Sequence, residues 1–423
     1  MGLILKRQMR TSAALAFLAV APLWAAAEAP STGESPFATI PEDIAELTRI
    51  TGLKPLKKVQ YDTMDREQLK RYLNRKVKEE LKPEEIRVEE LTLKRLGLVP
   101  QDFDLAKAMI DLMAEQAEAF YDYRQKKLFL VQNGDDANPI QQAALLHELA
   151  HALADQHFQL DKFIKRGKTD DSALARAAVM EGQATWIMYE WMANKAGQSM
   201  LKNAALANMM SVRSGSATSQ YPVLGGAPLY LRASLLFPYT EGLRFQQAVL
   251  EKVGTAGFSE VFKTPPQNSQ QILHPDKYFA QVKAVVPDLP KVLRSSRYKE
   301  LATATMGEFD FSVLLQQYAG QDEADAIAPH WRGGLVRLLE DKKDKHVLLL
   351  YASEWESPEM ARRLFESYKK ILSGKWKSLT YVNEKDDVLE GKGDDGMFRI
   401  WLDGTQVLGI EGMHEAGEAD LKP

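Results

Sequence analysis

The stretch Leu145-Leu146-His147-Glu148-Leu149-Ala150-His151-Ala152-Leu153 constrains this chain more than any other. It sets two histidines four positions apart inside an otherwise apolar run. On an α-helix, positions four apart share a face, so both imidazoles reach one point. The same face carries Ile140, Ala144 and Phe158, which marks it as the buried one. Asn138 is placed to cap such a helix, and Pro139 fits its first turn. Two buried imidazoles need partners. Zinc, which takes neutral imidazole nitrogens in a tetrahedral site, would satisfy both. Glu148 adjoins His147 and projects beside that point, where it can accept a proton from an attacking water. A chance pattern or a satisfied core pair is the competing explanation, and the helix start and apolar face weigh against it.

The chain has 423 residues, more than one ordinary core, and predicts two or three domains. Lys6, Arg7 and Arg10 precede an apolar run from Ala13 to Ala27 that ends in Ala25-Ala26-Ala27. This reads as a signal peptide over residues 1–27, cleaved before Glu28, and the run is short for a membrane span. No later stretch is apolar enough to cross a bilayer, so no stable membrane insertion is expected after cleavage. Losing those three positive charges takes the formal charge from −4 to −7. An acidic chain without a long basic block argues against nucleic acid. The absence of cysteine excludes disulfides and thiolate ligands. An exported chain of this kind fits a periplasmic or secreted location in a bacterial envelope.

Pro30 to Pro41 reads as a flexible leader, and Glu42 to Ala119 as mostly helical. Leu69, Tyr72, Leu73 and Val77 form an apolar stripe; Lys70, Arg71, Arg75, Lys76, Glu79 and Glu80 between them read as a solvated face. A helix over about 105–119 leads to Phe120-Tyr121-Asp122-Tyr123. Lys127 to Val131 reads as a strand, either a plain core strand or one bordering a cleft and pairing with an extended peptide. A long helix is expected over 172–195, stopped by Gly197. Residues 231–253 read as a helix interrupted near Pro238, with Tyr239 at the break. His274 precedes Pro275 and is expected on a turn. From about residue 301, paired strands, a helix begun by Ser357 and Pro358, and an Asp403-Gly404 hairpin predict a compact α+β unit. The fold class is α+β: a helical region over 28–119, a metal-binding core over 120–300 and a C-terminal domain over 301–423.

A third ligand has two candidates. Glu181 lies on the stripe Leu174, Ala178, Glu181, Thr185, Met188, Met192, where an unpaired carboxylate is costly and a metal removes the cost. Glu190, nine residues on, falls about half a turn out of phase. The rival is His157, six residues after His151, as in the motif H-E-x-x-H-x-x-G-x-x-H. Ala154 stands where that motif has glycine, so the helix continues and His157 points away. Glu181 is the expected ligand. Asp155 is placed to hold the far nitrogen of His151, and Thr185 to support Glu181.

His147-Glu148-x-x-His151 with a downstream Glu181 resembles the gluzincins, thermolysin-like zinc peptidases, and more so a group of uncharacterised exported bacterial proteins predicted to be gluzincin-type peptidases. The similar segments are 115–122, His147 to Phe158, Glu181 to Thr185, Phe237-Pro238-Tyr239 and Gln271 to Tyr278. Thr185 departs from the aspartate expected four residues after the ligand glutamate. The resemblance implies a gluzincin-like core with Zn2+ held by His147, His151 and Glu181, Glu148 as general base, and a peptide or protein substrate. Such chemistry also needs a donor to the oxyanion. His274 and Tyr239 are the candidates. The competing class is a non-catalytic envelope binding or scaffold protein stabilised by zinc. An intact Glu148 speaks against it, since a purely structural site needs no base.

Overall fold

The structure is a computed structural model that describes residues 18–20, 37–80, 82–132, 139–216, 221–292 and 295–414. The expected signal cleavage site, most of the leader and the Asn138 cap lie outside these residues. No described helix is long and apolar enough to cross a membrane. The fold is α+β, a largely helical N-terminal part followed by an antiparallel sheet domain.

The helical part encloses a small sheet in the order β1-β3-β4-β2, with β1 Leu18–Val20, β2 Gln60–Asp65, β3 Ala117–Asp122 and β4 Lys127–Gln132. β3 and β4 form a hairpin, and β2 joins β4 in parallel, Tyr61 opposite Leu128. Two expectations change here. The region before residue 119 is mostly helical, but β2 lies in it, and the helix expected to reach about Ala119 ends at Gln116, where β3 begins. The strand after it does not offer an edge to a peptide, because β4 is bonded to β2 on one side and β3 on the other. Lys76 also leaves its expected solvated face. It is buried and lies 3.5 Å from the buried Asp122 carboxylate, which the Tyr72 hydroxyl also reaches at 2.6 Å.

Three long helices follow, the first packed on this sheet, the second on the first and the third on the second. They are α1 Pro139–Phe158, α2 Asp170–Lys195 and α3 Leu229–Val253. α1 begins on Pro139, as a first-turn proline allows. α2 begins where Thr169 and Ser172 cap each other: the Ser172 N–H donates to the Thr169 hydroxyl at 3.1 Å, and the Thr169 N–H to Ser172 Oγ at 3.0 Å. α2 is apolar nearly all round and is buried along most of its length, as a central core helix must be. α3 crosses it at a glycine pair. A Cβ on Gly182 would lie 2.1 Å from the Gly242 carbonyl carbon, so the backbones touch. The expected break near Pro238 is absent; α3 runs through it, with Phe237, Pro238 and Tyr239 all buried. Packing on both sides holds a helix turn that loses one N–H to the proline.

The C-terminal part is a seven-stranded sheet in the order β5-β6-β7-β11-β10-β9-β8. Its strands are β5 Tyr298–Thr305, β6 Trp331–Asp341, β7 Val347–Trp355, β8 Thr380–Lys385, β9 Val388–Gly393, β10 Gly396–Asp403 and β11 Gln406–Met413. All its pairings are antiparallel, and β10 turns into β11 at Asp403-Gly404 as expected. Helices α4 Glu308–Tyr318 and α5 Pro358–Lys375 cover it. The Ser357 hydroxyl caps α5. One contiguous apolar cluster runs from Ile40 to Val407, so the two parts share a core.

Candidate metal centre

The site is built by α1 and α2 side by side. His147 and His151 lie one turn apart on α1, and their Nε2 atoms are 3.0 Å apart. Glu181 of α2 completes the triangle, with Oε2 3.1 Å from His147 Nε2 and 3.3 Å from His151 Nε2. All three side chains are deeply buried: His147 is 2 % exposed, His151 1 % and Glu181 1 %. A four-coordinate ion with ligands at about 2.0–2.1 Å spaces them about 3.3 Å apart, so this triangle matches one face of such a tetrahedron. Burial pushes the Glu181 carboxyl pKa up, but the two imidazoles outweigh it and hold it at about 2. Its second oxygen, Oε1, is buried without a hydrogen-bond partner among the described residues. Three converging lone-pair donors and an orphaned carboxylate oxygen in a buried pocket are what a bound cation would satisfy. The residues fit zinc.

Around the triangle stand a carboxylate and two phenols. Glu148 follows His147 on α1 and is fully buried. The Tyr239 ring, from α3, stacks near His147 at 6.1 Å between centroids and 27° between planes. The Tyr123 ring, from the β3–β4 turn, meets His151 edge-on at 6.2 Å. Burial first, then the charges of Glu181 and Glu148, push the Tyr123 hydroxyl well above its ordinary pKa, so it stays protonated and can donate. Tyr123 was not singled out from the sequence. It lies just past the end of β3, in the turn that brings its ring to His151, and no local pattern marks it.

The other candidates are placed elsewhere. His157 Nε2 lies 2.8 Å from the Lys54 carbonyl and has no part in the triangle, because α1 continues through Ala154. Glu190 accepts from Ser199 Oγ at 2.7 Å and the Met200 N–H at 2.6 Å, closing the turn after α2. Asp155 serves a different purpose from the one expected. It accepts from the Tyr121 hydroxyl at 3.0 Å, Lys126 Nζ at 2.6 Å and the Leu160 N–H at 2.9 Å, so it ties the hairpin to the end of α1. Thr185 is buried one turn past Glu181, and its hydroxyl has no hydrogen-bond partner among the described residues.

His274 sits at a turn before Pro275, as expected, but the structure does not bring it to the triangle. Its Nε2 lies 2.7 Å from Glu308 Oε1. Glu308 follows Gly307, whose Cα packs directly on the Asp171 carboxylate at the start of α2. The Ser269 N–H, five residues before His274, donates to that same carboxylate at 2.9 Å. Asp171 precedes Glu181 by ten residues, roughly 15 Å along the helix. His274 therefore anchors the junction with the C-terminal domain, and Tyr239 is the one of the two proposed donors that reaches the site.

Residues 296–422 match a family described as a domain of unknown function, DUF8575. The match starts two residues before β5 and covers the sheet domain, not the metal triangle. No curated protein matches the chain, and no solved structure does.

Proposed function

We propose that the chain is an exported zinc-dependent peptidase that hydrolyses peptide bonds with Glu148 as general base. The observation that carries the reading is the triangle of His147 Nε2, His151 Nε2 and Glu181 Oε2, with a second buried carboxylate, Glu148, next to His147 on α1. His147, His151 and Glu181 would hold the zinc, which when bound would supply a Lewis acid for the scissile carbonyl and for water. Glu148 takes the proton from the attacking water and delivers it to the leaving amine. Its burial removes competing solvent and suits a group that both accepts and returns a proton. The phenols of Tyr239 and Tyr123 flank the two imidazoles and supply neutral hydrogen bonds to the developing oxyanion. The acidic chain and its N-terminal signal pattern support a periplasmic or secreted setting with peptide or protein substrates.

The depth of the site favours one rival reading, a zinc-stabilised binding or scaffold protein, since structural sites are closed and catalytic ones keep an open position. One pair of measurements separates the two. The purified chain should contain about one zinc and cleave members of a peptide library. Glu148→Gln should keep the zinc and the fold and lose cleavage, because an amide cannot serve as base. Zinc without cleavage of any peptide by the wild type would select the scaffold; cleavage unchanged in Glu148→Gln would remove Glu148 from the mechanism.

A further inference from the structure

Every group placed at the metal centre comes from a long helix except Tyr123, which stands on the β3–β4 turn. Turns are the freest parts of a fold. A donor displaced by about 1 Å can lose about 100-fold in rate. Tyr123 therefore needs something to hold it, and the residue before it is built to do so.

β3 and β4 stay paired as far as Asp122 opposite Lys127, so the turn is residues 123–126. The Asp122 carboxylate is fully buried beneath it. Its Oδ1 accepts from the Arg124 and Gln125 N–H groups at 2.8 and 3.0 Å, which closes the turn from inside. Its Oδ2 accepts from the Tyr72 hydroxyl at 2.6 Å and Gln125 Nε2 at 2.7 Å, with Lys76 Nζ 3.5 Å away. Burial pushes the Asp122 carboxyl pKa up, but the Tyr72 hydroxyl, the Gln125 N–H and Lys76 outweigh it and hold it below its ordinary value.

The two faces of the hairpin explain the arrangement. Tyr72 and Lys76 belong to the helix Arg66–Glu80, and Tyr72 packs on Phe120 and Phe129. Ala119 and Leu130 meet Ala144 of α1 on the other face. Side chains alternate along a strand, so Asp122 shares the Phe120 face and points at the helix Arg66–Glu80. Tyr121 points at α1, where its hydroxyl reaches Asp155 at 3.0 Å. The far end of the turn is tied to the same carboxylate: Lys126, left-handed at φ 54°, places Nζ 2.6 Å from Asp155 Oδ2. Between these two anchors the Tyr123 ring is 1 % exposed. It meets Tyr121 edge-on at 5.3 Å and His151 at 6.2 Å.

We propose that Asp122 is a positioning residue: by closing the turn 123–126 and tying it to Tyr72 and Lys76, it fixes the Tyr123 ring against His151. Only the use of Tyr123 as an oxyanion donor rests on the peptidase reading; the placement of its ring does not.

The test reads Tyr123 directly. In the whole chain, 3-fluorotyrosine at position 123 should give one sharp 19F resonance well displaced from that of the free amino acid. Asp122→Asn, which keeps the shape and loses the charge, should broaden that resonance or move it towards the free value. Tyr72→Phe and Gln125→Ala each remove one donor to Asp122, and should move it the same way by less. They also guard against an Asp122→Asn chain that fails to fold. A resonance unmoved by the variants that fold overturns the proposal. Kinetics supply a second arm. Asp122→Asn should lower kcat about ten- to hundredfold with KM and bound zinc unchanged. In a chain already carrying Tyr123→Phe it should cost nothing further, because residues that act through one another are not additive. Full additivity of the two losses would make Asp122 merely structural and overturns the proposal. The two readings fail separately. A displaced resonance in a protein whose wild type cleaves nothing keeps the role of Asp122 and sinks the peptidase; cleavage with an unmoved resonance does the reverse.

Discussion

Glu181 is the residue whose role depended most on phase along a helix. Its carboxylate sits within 3.3 Å of both imidazole nitrogens, whereas His157 is bonded to a backbone carbonyl near the surface. Loss of a residue that merely orients a ligand costs roughly 10–100-fold in metal affinity, so removing a ligand should cost more. Glu181→Ala should therefore weaken zinc binding by at least about 100-fold in competition with a chelator, while His157→Ala leaves it unchanged. The opposite pattern would return the third position to histidine. The two phenols make a second pair of tests. Tyr239→Phe or Tyr123→Phe, if it removes a true oxyanion donor, should lower kcat by about two to three orders of magnitude with zinc still bound. Near-normal kcat in both would place the donor elsewhere. Tyr239 could be read from the sequence as a candidate. Tyr123 could not, because its importance arises only when the hairpin turn is laid over α1.

At the level of elements, the contact between α2 and α3 sets the position of Glu181. Gly182 is its immediate neighbour, and a Cβ there would sit 2.1 Å from the Gly242 carbonyl carbon and 2.3 Å from its oxygen. Both obstacles are backbone, so no rotamer relieves the clash. Gly182→Ala should force the helices apart, at a cost of about 1–3 kcal/mol or more. The expected readouts are a lower melting temperature and weaker zinc binding together, since the displaced turn carries the ligand. A fully stable Gly182→Ala protein with normal zinc affinity would show that the contact relaxes freely. The periodic pattern of 172–195 revealed the helix and its capping end. It did not show that the helix is buried on every side, because an all-round apolar helix carries little directional signal.

Across the whole molecule, the sheet domain and the metal-binding part meet at a cluster of buried acids. Asp171 at the start of α2 packs on Gly307, accepts from the Ser269 N–H, and lies near Asp310 and Glu308 of α4. Tyr230 of α3 donates to Asp310 at 2.7 Å. Burial above all, then the neighbouring Asp310 charge, raises the Asp171 pKa to about 7 from an ordinary 3.8. The folded chain thus keeps a proton that the unfolded chain releases. This group's contribution is most favourable below about pH 4 and is lost as pH rises to about 7. Asp171→Asn keeps an acceptor for Ser269 without the charge. Urea midpoints at pH 5 and pH 8 should therefore differ less in Asp171→Asn than in the wild type. An unchanged difference would mean that Asp171 does not hold the proton.

The sequence alone determined what is local or periodic. Two histidines four apart in an apolar helix, a glutamate on the buried stripe of the next long helix, the Ser357 cap and the Asp403-Gly404 turn all follow from spacing and backbone preference. The α+β class follows from the same signals. Tertiary structure decided what depends on neighbours distant in the chain. β2 is short and mixed in polarity, and becomes a strand only because β4 offers it partners. Pro238 reads as a break, yet packing on both sides carries the helix through it. Lys76 reads as solvated until Asp122 arrives from another element. Asp155 was assigned to His151 by spacing, but the hairpin brings Tyr121 and Lys126 to it instead. His274 is drawn to Glu308 across the domain junction, roughly 15 Å of helix away from the triangle. In each case the deciding term is burial against a partner remote in sequence, which changes the cost of a charge, a proline or an unpaired strand and leaves no trace in local periodicity.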